Sequence, residues 1–77
     1  MNNDILFNIK KDWRSRGYTF TELYGFNKIE LVLITNKEKQ IFIDMSDASC
    51  SIRGNINKVI TALITKTIEM LEEYNNG

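Results

Sequence analysis

"IELVLIT", residues 29 to 35, is the stretch on which the fold of this chain turns. With the two-residue period of a β-strand it sets Ile29, Leu31 and Leu33 on one side and Glu30, Val32 and Ile34 on the other. The strand is apolar on both sides near its end. Upstream, "YTFTELY", 18 to 24, alternates in the same way, with Tyr18, Phe20, Glu22 and Tyr24 opposite Thr19, Thr21 and Leu23. "GFNK", 25 to 28, joins the two as a hairpin turn. Downstream, "NKEK", 36 to 39, turns the chain into "QIFIDMS", 40 to 46, where Ile41, Ile43 and Met45 oppose Phe42, Asp44 and Ser46. The pattern predicts three strands in an antiparallel meander.

Helical periodicity flanks the strands. A first helix is expected from about Asn3 to Arg16, with Asn2 or Asn3 as N-cap, Asp4 in the first turn and Gly17 just past the end. Its stripe of Ile5, Leu6, Ile9 and Trp13 spans about 100° of the helix surface. "SDASCSIRGN", 46 to 55, reads as a loop of small and polar residues that ends on Asn55 as a helix cap. From Ile56 a long amphipathic helix follows, its core stripe built by Val59, Ile60, Leu63, Ile64, Thr67, Met70, Leu71 and Tyr74. Residues 75–77, "NNG", are expected to fray.

The fold class is therefore α+β, an α-β-β-β-α chain forming a single domain over residues 1–77. The face carrying Ile29, Leu31, Leu33, Ile41, Ile43 and Met45 is expected to meet the C-terminal helix. That choice leaves Val32, Ile34 and Phe42 on an open face. With Tyr18, Phe20 and Tyr24 turned the same way, these six side chains make a surface suited to a homodimer.

Composition bounds the function. An apolar fraction of 43% with ten basic and ten acidic residues is that of a folded domain, not a disordered chain. The balanced charge supplies no global field for collecting phosphates, so any electrostatic function must come from local patches. Cys50 is the only cysteine and histidine is absent, which excludes an intramolecular disulfide and the usual zinc, copper and iron ligand sets within one chain. No cofactor is expected. The longest apolar run, "LVLI", falls far short of the ~20 residues that span a bilayer, and "MNNDILFNIKK" carries no basic leader. The expected setting is the cytoplasm, with no membrane partner. Richness in Ile, Asn and Lys without a single Pro resembles the coding bias of low-GC bacteria and their phages.

No residue pattern names a reaction. Asp44 and Asp47 offer a pair of carboxylates and "SDASCS", 46 to 51, offers Ser and Cys nucleophiles, but no histidine can serve as base, and these residues fit turn and cap chemistry. "IRGN" before a helix has one glycine, which is not a phosphate loop. The expectation is that the chain is not an enzyme. The oddity is Phe7, which falls among Lys10, Lys11 and Arg14 on the far side of the first helix from its apolar stripe. An aromatic ring among cations suits contact with an acidic protein surface or with nucleic acid. Phe7, Lys10, Lys11, Arg14, Arg53 and Lys58 are therefore the candidate partner-binding residues.

In element order the chain resembles the double-stranded RNA-binding domain, whose second helix opens with a lysine cluster. Here "NINKVITALITK" supplies only Lys58 and Lys66, so no binding residue carries over. In size, neutral composition and lack of catalytic motif it is similar to small phage-encoded antagonists of bacterial defence, such as anti-CRISPR proteins. That resemblance implies a non-enzymatic interaction protein that binds and blocks a larger bacterial protein. The alternative is a small nucleic-acid-binding regulator using Lys10, Lys11, Arg14, Arg16, Arg53 and Lys58 on the two helices.

Overall fold

The computed structural model describes residues 2 to 77, in the order α1 (Asn2–Arg14), β1 (Thr19–Gly25), β2 (Lys28–Thr35), β3 (Gln40–Asp44), β4 (Ser49–Arg53) and α2 (Lys58–Asn76). The strands form one antiparallel meander, β1-β2-β3-β4. The α+β class stands, but the sheet has four strands where three were expected. The fourth lies inside the supposed loop. Within it Ser49, Ser51 and Arg53 are exposed while Cys50, paired with Ile43, is half-buried against the core. Such an edge strand has the small polar composition of a turn, which hides its alternation. The turn before it is made by carboxylates. Asp44 Oδ1 accepts hydrogen bonds from the Ser46 N–H at 3.0 Å and the Ser46 hydroxyl at 2.7 Å, and Asp47 Oδ1 accepts from the Ser49 N–H at 3.1 Å.

One extra residue in β2 overturns the expected choice of core face. Leu23 pairs with Leu31 but Tyr24 pairs with Ile29, so Glu30 is a β-bulge. Its carbonyl is satisfied by the Met45 N–H at 2.8 Å, and its carboxylate lies where a Cβ on Gly25 would collide with it. Because the bulge resets the alternation, Ile29 shares its face with Val32 and Ile34 and not with Leu31 and Leu33. Ile29, Val32, Ile34, Ile41 and Ile43 are buried, whereas Leu31 and Leu33 lie on the far face beside Phe42.

Both helices pack on that isoleucine-rich face and share a single core with it. From α1 come Ile9 and Trp13 fully buried, with Ile5 and Leu6 at the margin, as the helical stripe requires. The α1 helix stops two residues before Arg16, and Gly17 takes the left-handed backbone (φ +86) that ends it. Tyr18 then packs edge-on to Trp13, ring centroids 5.1 Å apart. From α2 come Ile60, Ile64, Thr67 and Leu71, while Val59, expected in the stripe, is exposed. The α2 cap is Asn57, whose Oδ1 accepts from the Ile60 N–H at 2.9 Å, not Asn55. The tail expected to fray is instead tied down. Asn75 lies in the last turn of α2, and its amide accepts from the Ile29 N–H at 2.8 Å and donates to the Ile29 carbonyl at 3.0 Å.

Candidate functional site

With both helices on one side, the other side of the sheet is uncovered. Across it run the rows Thr21–Leu33–Phe42–Ser51 and Leu23–Leu31–Asp44–Ser49. Leu23 and Phe42 are exposed and Leu31 and Leu33 half-buried, forming an apolar centre with a rim of hydroxyls. This is not the open face expected from sequence. Tyr18, Phe20, Val32 and Ile34 are buried beneath the helices; Tyr24 bonds through its hydroxyl to Tyr74 of α2, and Phe42 points the opposite way. Those six side chains therefore share no surface.

The hairpin between β1 and β2 carries the most exposed aromatic of the described residues. Phe26 is 97% exposed. Phe26 and Asn27 both have positive φ, 53 and 68, the backbone of a two-residue type I′ turn. That turn favours Asn or Gly because a bulky residue with positive φ crowds its own backbone, at a cost of order 1–3 kcal/mol. Local stability would not choose phenylalanine here. Beside the ring lies an open hollow of about 600 Å³ lined by Gly25, Ile29, Leu31, Met45 and Asn75, with Lys28, Glu30 and Asp44 at its margin. The sequence carries a signal at this position, since "GFNK" places Phe where a hairpin turn takes a residue without bulk.

The residues proposed from sequence do not form one patch. Phe7 is 64% exposed, and with Lys11 and Arg14, both exposed, it makes a strip at i, i+4 and i+7 along α1. Lys10 turns away from that strip and pairs with Glu22 of β1 at 2.6 Å. Arg53 belongs to the row Thr19–Thr35–Gln40–Arg53 on the uncovered side of the sheet, and Lys58 is exposed in the first turn of α2.

The groups weighed for chemistry are engaged otherwise. The two hydrogen bonds from Ser46 hold the Asp44 carboxyl below its ordinary pKa, as expected of a turn cap. Burial pushes the Cys50 thiol up, which lowers the thiolate fraction that a nucleophile needs. Gly54 (φ +98) passes so close to the β2–β3 turn that a Cβ would sit 2.9 Å from the Glu38 carbonyl oxygen, which gives it a packing role. Among the described residues no group of three or more His, Cys, Asp or Glu side chains is placed to hold a metal ion, and no helix is long and apolar enough to cross a membrane. No family model, curated protein or solved structure matches this chain.

Proposed function

We propose that the chain is a non-enzymatic docking protein that binds a larger protein through the β1–β2 hairpin. Phe26 carries this reading: an almost fully exposed aromatic ring held at the cost of backbone strain. The partner it fits offers an apolar recess that accepts the phenyl ring and a side chain of its own for the hollow beside Gly25 and Met45. Leu23, Leu31 and Phe42 on the uncovered sheet extend the contact, with their hydroxyl rim as its polar margin. The finer reading is a cytoplasmic inhibitor encoded by a phage or mobile element, which blocks a bacterial defence component by occupying its surface. Small size, neutral composition and the Ile, Asn and Lys bias support it.

The test is a photo-crosslinking amino acid placed at position 26, with the same group at Phe7 as comparison, in lysate of a low-GC bacterium. A single protein crosslinked from position 26, and bound by purified wild type but not by Phe26→Asn, is the expected result. No crosslinked protein, or equal binding by Phe26→Asn, overturns the proposal.

A further inference from the structure

Four cations from three parts of the chain meet around the β2–β3 turn. Two shallow hollows share Asn36, Lys37 and Glu38; one, of about 200 Å³, extends to Lys39 and Arg53, and the other, of about 340 Å³, to Arg16. We infer that Arg16, Lys37, Lys39 and Arg53 form a docking surface for the phosphate backbone of nucleic acid. This surface is distinct from the hairpin, so each reading can fail without the other.

The turn is built to hold its cations in place. Asn36 Oδ1 accepts from the Glu38 N–H at 2.9 Å and the Lys39 N–H at 2.7 Å, and the Asn36 N–H donates to the Lys39 carbonyl at 3.0 Å. The close approach of Gly54 fixes the end of β4, and with it Arg53, against the same turn. A preorganised backbone lowers the ordering cost of binding to the side chains alone.

The cations are also unspent. Among the described residues no ion pair involves any of the four; the pairs formed are Lys10 with Glu22 and Lys66 with Asp12, on other elements. Glu38 is the one carboxylate lining either hollow, so a chain of zero net charge carries a local excess of three positive charges here. The opposing charges lie at the far end. Asn75 bonds to Ile29 at the β1–β2 end of the sheet, which places the last turns of α2, with Glu72 and Glu73, away from the β2–β3 turn. A polyanion is thus steered to one end of the molecule and repelled from the other.

Shape and neighbours select the partner. Both hollows are shallow, which suits a strand laid across them and not a small phosphate compound enclosed in a pocket. Thr35, Asn36 and Gln40 add hydrogen-bond donors. No large apolar side chain lines either hollow, so a lipid surface would gain no inserted anchor.

Fluorescence anisotropy with a labelled single-stranded RNA and a labelled DNA duplex of equal length tests the proposal on the full chain. Binding is expected at 50 mM salt, with affinity falling about 50- to 150-fold by 200 mM if four phosphates are contacted. Lys37→Glu combined with Lys39→Glu should lose at least about tenfold at 50 mM salt, while Lys28→Glu on the opposite hairpin should bind as wild type. Circular dichroism checks that each variant is folded; should the double Glu variant unfold, the Lys37→Ala and Lys39→Ala pair should instead halve the salt dependence. Absence of binding at low salt, equal binding by the folded double variant, an equal loss from Lys28→Glu, or equal affinity for phosphatidylglycerol vesicles would each overturn it.

Discussion

Trp13 Nε1–H donates a buried hydrogen bond to Thr67 Oγ1 at 2.9 Å, across 54 residues of sequence, and so joins the only two helices of the described chain at their contact. The same threonine hydroxyl donates to the Leu63 carbonyl at 2.6 Å, and its residue is 1% exposed. Each partner therefore satisfies a polar atom that has no route to water.

Thr67→Val keeps the volume and deletes the acceptor, leaving the indole N–H buried and unpaired. The expected cost is about 1–3 kcal/mol, seen as a lower Tm by roughly 4–8 °C per kcal/mol in a domain of this size. Thr67→Ser, which retains the hydroxyl, should lose less. Thermal unfolding followed by circular dichroism measures both, and a Thr67→Val protein as stable as wild type would show that the hydrogen bond contributes nothing.

At the hairpin the sign reverses. Asparagine tolerates positive φ far better than phenylalanine, so Phe26→Asn should stabilise the fold by about 1 kcal/mol. A variant that melts higher while losing its protein partner would separate function from stability at one position. A drop in Tm would show that Phe26 contributes packing to its own fold.

Tyr24 and Tyr74 share a hydrogen bond of 3.0 Å between their hydroxyls. That bond first, then burial and the neighbouring Tyr74 and Glu22, raise the pKa of Tyr24 from 10.0 to about 12. A raised pKa means that the folded state favours the protonated phenol. Its contribution to stability is fully present below pH 10 and is lost as pH rises towards 12. In Tyr74→Phe the titration of Tyr24, read as the difference in tyrosinate absorbance from a control carrying both Tyr24→Phe and Tyr74→Phe, should move back towards 10.0. An unmoved titration would show that the hydroxyl pair is not formed in solution.

Asn75→Ala removes both hydrogen bonds to the Ile29 backbone and leaves the start of β2 beside the bulge without its clasp. A loss of about 1–2 kcal/mol is expected, together with faster hydrogen exchange at Ile29 than at Ile41. Exchange unchanged at Ile29 would refute the role given to Asn75.

The elements with one-sided periodicity were legible in the sequence. The α1 stripe of Ile5, Leu6, Ile9 and Trp13 and most of the α2 stripe are found against the core, since a helix with one apolar face has one way to pack. The face of β2 was not legible. With Leu31 and Leu33 on one side and Val32 and Ile34 on the other, hydrophobicity is nearly balanced, and Glu30, whose bulge breaks the tie, looks like any exposed strand residue. β4 has no apolar alternation to read, because Ser49, Ser51 and Arg53 are exposed on an edge strand. The basic end was hidden for a different reason. Arg16, Lys37, Lys39 and Arg53 come from three separate segments, and only the antiparallel register brings them together.

The meander has a kinetic consequence. Every strand pairs with the next in sequence, so the sheet can zip from short loops, each closing at small entropic cost. Contact between the two helices must instead close a loop of more than 50 residues, bounded by Trp13 and Thr67. Trp13 is the single tryptophan of the chain, so its emission changes when the two helices meet. Stopped-flow fluorescence should lag behind circular dichroism during refolding, and Thr67→Val should speed unfolding while leaving the folding rate nearly unchanged.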